Sequence, residues 1–235
     1  MEESRAAKFQ ILSGNQIKYI LILAMIADHI GWALVPKASV QGQLLHFFGR
    51  LTGPGMAYFL AEGFRYTKNL KAYALRLGIF AFLSWPAYAY FEKGTLLKFY
   101  PCFGVIYSLF IALLILIVYE RFDWPPRLRE GAMILLMGLS LLGDWAGFIP
   151  TYALIFHHFR EEPKKKWIAY CIVSILTFSI NGFKAEGLFQ TGVYLVPFLL
   201  LLYNGRRGSG HPFHKWFFYF FYPIHLFILG YFRWR

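Results

Sequence analysis

The sequence predicts an all-α protein: a polytopic transmembrane helix bundle of about nine spans with a cytoplasmic N-terminus. Three observations carry that expectation. The 235 residues are 58% hydrophobic and only 15% charged, whereas soluble domains run near a quarter charged. Apolar stretches approaching the length of a bilayer crossing recur from end to end. Basic residues gather in alternate short loops, as the positive-inside rule requires.

The stretches run Ile17–Val35, Leu44–Phe64, Tyr73–Phe91, Phe103–Tyr119, Gly131–Gly143, Trp145–Phe159, Trp167–Gly182, Leu188–Tyr203 and Phe213–Phe232. A helical crossing takes about 17–25 residues. The fifth and sixth are short, and read either as two tight spans or as one re-entrant element broken at Gly143-Asp144. Loop charge favours two. With nine spans, 17 of the 24 basic residues fall inside, including Arg5, Lys8 and Lys18, then Arg121, Arg127 and Arg129, and then Arg160 and Lys164 to Lys166. Lys37, Lys93, Lys98, Lys184, Arg233 and Arg235 remain outside. Merging the fifth and sixth stretches would invert every later loop. No linker, low-complexity tract or fixed-period repeat divides the chain, which reads as a single domain over residues 1–235. The polar N-terminus lacks a small-residue cleavage site before a short apolar core, so the first helix is expected to remain as an anchor.

Composition excludes several classes. The net charge of +12 would suggest nucleic acid in a soluble protein, but here it sits in short loops and reads as topology, so no nucleic-acid partner is expected. Cys102 and Cys171 have neither CxxC nor ligand spacing and read as packing residues. No metal set, Walker loop, HExxH, GxSxG or dinucleotide fingerprint is present. Aromatics make up 21% of the chain and fit lipid interfaces and helix packing.

Function is sought among the ionisable groups that interrupt the apolar stretches, because each is costly in hydrocarbon. Asp28 and His29 lie eleven or twelve residues into the first stretch, and Arg50, Asp144 and His225 interrupt others. At about 1.5 Å per residue these segments reach similar depth, toward the outer leaflet. Imidazole exchanges protons near neutral pH, and a carboxylate can fix its tautomer. Asp28 and His29 diverge by about 100° on a helix. Asp28 is therefore expected to pair with Arg50, and His29 to be oriented by Asp144 or another segment. Tyr222 and His225 share a face around Pro223. Pro223 is expected to kink its helix, and Pro54 and Pro86 to break theirs, where backbone lines a cavity. The bland alternative is that these groups only tie helices together.

A second polar set lies on the cytoplasmic side. Glu62 and Arg65, at i,i+3, default to a mutual pair. Arg65, Lys68, Lys71 and Arg76 form a basic rim. Such a rim could hold a phosphorylated ligand or meet anionic lipid, and lipid is the default. His157 and His158, near an inner helix end, suit a helix C-terminus rather than a metal.

The motifs DHIG at Asp28–Gly31, GR at Gly49-Arg50, AEGFRYTKN from Ala61 and FYPIHL from Phe221 occur in an order that resembles the TraX family. The likeness covers about the first 90 residues and the last apolar stretch. Between them it extends only to hydropathy and the Gly143–Gly147 turn. Family members often carry Asn-x-x-Phe-Thr near the fourth helix, where this chain has Gly104-Val-Ile-Tyr107-Ser108. The resemblance implies an integral membrane acetyltransferase of the bacterial cytoplasmic membrane, akin to the wider transmembrane acyltransferases. On that pattern His29 would be the general base, with Asp28 and Arg50 completing the catalytic group. Asp144, Tyr222 and His225 would contact substrate. Glu62, Arg65, Lys68, Lys71 and Arg76 would hold acetyl-CoA, the donor. The acceptor would be a pilin N-terminus or a surface glycan. Competing expectations are a proton-coupled transporter or flippase, which uses the same buried groups, and a non-catalytic membrane assembly protein. No paired repeat halves support a transporter.

Overall fold

The computed structural model describes residues 10–96, 100–179 and 185–235. Arg5, Lys8, Lys98 and Lys184, used above to orient the loops, lie outside the described residues. The architecture is all-helical, with no strand among the described residues and isolated parallel bridges at Leu12–Tyr203 and Phe103–Gly143. The chain forms two compact units. One comprises Met1–Gly55 and Ser174–Tyr219, and the other Met56–Val173 and Phe220–Arg235.

In the first unit, α1 spans Gly14–Leu34. Its start is written locally. Ser13 accepts from the Gln16 amide at 3.4 Å while Gln16 Oε1 accepts from the Ser13 amide at 2.8 Å, a reciprocal capping box. Pro36 follows its end, where the chain turns to extended backbone at Val35. One face, with Ile17, Leu21, Met25, Asp28 and Gly31, is buried, while Leu23 and Leu34 stay exposed. Helix α2 spans Val40–Gly49, capped by Ser39 onto the Gly42 amide at 3.0 Å. It packs against α1 and against a 3₁₀ segment, Ala185–Tyr194, which continues into α9 at Leu195–Leu201. Leu12 is hydrogen-bonded to Leu202 and Asn204, fastening the residues just before α1 to the end of α9.

Helix α3 runs Thr52–Tyr66, so the stretch expected as one span from Leu44 to Phe64 is two helices joined at Arg50-Leu51. Pro54 does not cause the break. It occupies the first turn of α3, where its missing N–H is needed by no intrahelical bond. The join places Arg50 at the C-cap of α2.

In the second unit, α4 is Leu70–Lys93, capped by Asn69 onto the Ala72 amide at 2.9 Å and closed by Gly94 in the left-handed region at φ 70°. Pro86 lies inside α4, which continues through it, contrary to the expectation of a break, and Pro223 lies inside the continuous α10, Pro212–Trp234. Helix α5, Val105–Arg121, is apolar around its circumference. Its Leu113, Ile115 and Leu116 are wholly buried, which makes it the core against which α4, α6 (Pro126–Ser140) and α7 (Phe148–His158) pack. Helix α8 covers Pro163–Ser179.

The fifth and sixth stretches are separate helices joined by a turn in which Trp145 and Ala146 take φ of 61° and 35°. At 15 and 11 residues neither reaches across a hydrocarbon core of about 30 Å by itself. Among the described residues, α1 is the helix both long enough and apolar enough to cross a membrane, and 187–201 is a shorter apolar helix. The eighth stretch is therefore 3₁₀ in its first half rather than one α-helix.

Candidate functional site

The first unit holds a buried polar cluster in an apolar setting. Asp28, on the packed face of α1, meets two side chains from α2. His46 Nδ1 lies 2.8 Å from Asp28 Oδ1, and Arg50 Nη2 donates to Asp28 Oδ2 at 2.7 Å. His46 and Arg50 stand four residues apart, on one face of α2, so both carboxylate oxygens are engaged by a single helix. All three groups are buried, His46 completely. The expected Asp28–Arg50 pair forms.

Close backbone approach makes this possible. A Cβ on Gly49 would collide with the Asp28 carboxylate, and one on Gly31 would come within 2.8 Å of His46 Cε1. Thr52 Oγ1 donates to the Leu21 carbonyl at 3.0 Å, tying the first turn of α3 to α1. The 3₁₀ segment then covers the cluster. Phe189 lies 5.2 Å from the His46 ring and 5.3 Å from the Arg50 guanidinium carbon. Trp32 lies 4.4 Å from His46. Lys37 Nζ rests 5.5 Å from the Trp32 ring and 5.1 Å from that of Phe189. Gln43 holds these pieces together, accepting from the Phe189 amide at 3.2 Å and donating to the Lys37 carbonyl at 2.8 Å.

His29 is buried beside this cluster, and its ring bonds the Met25 backbone one turn back. The hydrogen-bonded imidazole of Asp28 is that of His46. His46 was not singled out from the sequence. It lies just inside an apolar stretch, at a depth where histidine is unremarkable. Its spacing of four from Arg50 was the signal that could have found it.

Asp144, Tyr222 and His225 belong to the second unit. Asp144 shapes the turn between α6 and α7: its amide donates to the Phe103 carbonyl at 2.7 Å, its carboxylate accepts from the Trp145 amide at 2.9 Å, and its carbonyl accepts from Ser108 Oγ at 2.5 Å. Tyr222 and His225 share the buried face of α10, as expected. The Tyr222 hydroxyl accepts from the Val105 amide at 3.0 Å, satisfying an orphan donor at the start of α5. His225 Nδ1 donates to the Phe221 carbonyl at 3.0 Å, and its ring stacks on Phe221 at 4.9 Å. A Cβ on Gly104 would collide with the Tyr222 hydroxyl, so glycine here is a packing requirement. Gly104→Ala is expected to cost about 1–3 kcal/mol through overpacking and the displaced hydroxyl. A thermal unfolding curve unchanged from the parent would contradict that contact.

The second polar set lies in the second unit. Arg65 pairs with Glu161 at 3.5 Å, Lys68 and Lys71 are exposed, and Arg76 Nε is buried with no hydrogen-bond partner among the described residues. Burial lowers the Lys166 ammonium below its ordinary value, opposed by Glu62 and Glu161. Near them a cleft of about 460 Å³ is lined by Glu120, Arg129, His157, His158, Arg160 and Glu161. His157 pairs with Glu120, and the Tyr119 hydroxyl with His158 Nδ1 at 2.6 Å. No group of three or more potential metal ligands occurs among the described residues.

The model of the family described as TraX protein matches residues 13–233. The chain belongs to the TraX family. A curated relative of this TraX chain, the "Probable fimbrial assembly protein FimC, serogroup H1" of Dichelobacter nodosus, is 28% identical over 232 residues, covering 92% of this chain and 94% of the relative. No solved structure matches the chain.

Proposed function

We propose that this TraX protein is a multi-pass enzyme of the bacterial cytoplasmic membrane that moves an acetyl group from cytoplasmic acetyl-CoA to an acceptor reached from the outer side. The observation that carries the reading is the buried Asp28–His46–Arg50 cluster beside His29. A carboxylate, a guanidinium and two imidazoles withdrawn from water in an apolar unit are costly to keep. Their chemistry is that of proton removal and oxyanion stabilisation. In this reading an imidazole of the cluster takes the acceptor's proton. His29 is the candidate that family likeness supplies, and Arg50 steadies charge on the attacked carbonyl. Asp144, Tyr222 and His225 are carried as substrate contacts. Arg65, Lys68, Lys71 and Arg76, with Glu62 and the cleft beside Arg160, are the candidates for holding CoA phosphates.

Membrane residence is supported by helices that are inside-out. On α8, Tyr170, Ser174 and Thr177 are buried, whereas Ile168, Ile172, Ile175 and Leu176 are each more than half exposed. On α10, Tyr222 and His225 are buried, while Phe220, Ile224, Phe227, Ile228 and Tyr231 form an exposed stripe. Polar groups inward and apolar groups outward suit lipid as the surrounding medium. The relative's name supports an acceptor in a surface fimbria, such as a pilin N-terminus, with a surface glycan as the other acceptor class.

Comparing surface proteins and glycans from cells with and without the gene by mass spectrometry tests the proposal. An acetyl mark that disappears with the gene and returns with the intact chain is expected. Identical modification in both strains would refute it. The 3₁₀ segment leading into α9 also suits a proton-coupled transporter. Such a protein would move solute into proteoliposomes without consuming acetyl-CoA.

A further inference from the structure

We infer that His46 is the proton acceptor of this site, and that its Nε2 is the atom that receives the proton. The inference rests on the acetyl-transfer reading and, within that cluster, assigns the base to His46 in place of His29. Asp28, as a carboxylate, can only accept, so His46 Nδ1 carries the hydrogen of the 2.8 Å bond. That bond fixes the ring's orientation and tautomer and leaves the lone pair on Nε2. Arg50 holds the other carboxylate oxygen at 2.7 Å, so Asp28 cannot turn away. An acid-oriented imidazole with a bare second nitrogen is the arrangement of a general base.

What separates this from a helix tie is that Nε2 is buried and has no hydrogen-bond partner among the described residues. Leaving such a buried acceptor bare carries a desolvation cost with nothing to offset it. A tie between α1 and α2 needs only the Nδ1 side, which an asparagine amide would also serve. The cost at Nε2 is recovered when an N–H or O–H from an acceptor reaches it. Trp32, 4.4 Å from the ring, is 37% exposed, and Lys37 lies over both Trp32 and Phe189. His29, in contrast, turns its ring to the Met25 backbone of its own helix.

The step balances as follows. As the acceptor nitrogen or oxygen bonds the acetyl carbonyl carbon, its hydrogen passes to His46 Nε2. The carbon–sulfur bond breaks, CoA leaves as thiolate, and the imidazolium returns the proton to that sulfur. Asp28 stabilises the imidazolium between the two events.

The test uses the full chain in native membranes supplied with radiolabelled acetyl-CoA, reading label transferred to membrane protein and glycan. His46→Asn preserves a donor toward Asp28 and is expected to lower kcat at least ~100-fold with little change in KM for acetyl-CoA. His46→Ala is expected to lose as much and to regain activity with added imidazole, which a purely structural histidine would not do. Parent membranes that transfer no label would overturn the acetyl-transfer reading itself. Active parent membranes with full activity in His46→Asn would overturn the inference alone. So would a ~100-fold loss in His29→Ala while His46→Asn stays active.

Discussion

Asp28→Ala is expected to cost about 3–5 kcal/mol of stability, the largest effect of any single substitution in the first unit. Removing the carboxylate strands a guanidinium 8% exposed and an imidazole wholly buried, both of which bond to Asp28 at 2.8 Å or less. Neither can reach bulk water without leaving the space under Phe189 and Trp32. The double substitution Asp28→Leu with Arg50→Leu is expected to recover most of that loss, because it removes both charges and fills the space with hydrocarbon. Activity should stay lost in the double variant. Thermal unfolding in detergent separates these outcomes. Equal midpoints for Asp28→Ala and the parent would show that the cluster is wetter than its burial indicates.

A second large effect is expected at Gly192, in the 3₁₀ segment. A Cβ there would fall on the backbone carbonyl of Phe47 and within 3.1 Å of Arg50 Cβ. A flexible side chain could swing aside, but a helical carbonyl cannot. Gly192→Ala is therefore expected to push the segment off α2, at a cost of about 1–3 kcal/mol or more. Because the same segment carries Phe189 against His46 and Arg50, activity should fall with stability. Trp32 also packs near Phe189, with ring centroids 6.4 Å apart, and a changed environment for this ring would report the displacement. Gly131→Ala serves as the control. Open space surrounds Gly131, and alanine favours a helix interior by about 1 kcal/mol over glycine, so its stability should hold or rise. Equal behaviour of the two variants would contradict the packing described here.

Much of the site could be read from residues alone, for a definite reason. Charge in an apolar helix is expensive enough to demand a partner, so Asp28 and Arg50 announce each other. Periodicity likewise puts Tyr222 and His225 on one face of α10. His46 was illegible because histidine near the end of an apolar stretch has an ordinary explanation at the interface. Only the pairing geometry of α1 with α2 makes it a partner of Asp28. The break at Arg50-Leu51 was hidden for a similar reason: the run from Leu44 to Phe64 is apolar throughout, and hydropathy carries no record of a helix end. The 3₁₀ segment at Ala185–Tyr194 is another case, since its shape answers to Phe47, Gln43 and His46 on α2 rather than to its own composition. The inside-out faces of α8 and α10 escape hydropathy averaging because buried Tyr, Ser, Thr and His offset the exposed Ile, Leu and Phe within each window.

The most direct test of the central claim is release of free CoA thiol by the purified chain in proteoliposomes, with acetyl-CoA on the cytoplasmic face and an amine-bearing pilin peptide on the opposite side. Acetyl transfer through the buried cluster predicts thiol release that requires the peptide, acetylates it, and falls at least ~100-fold in a folded Asp28→Asn variant. Peptide-dependent release that persists undiminished in that variant, or folded parent protein that releases no thiol with any pilin or glycan acceptor, would contradict it.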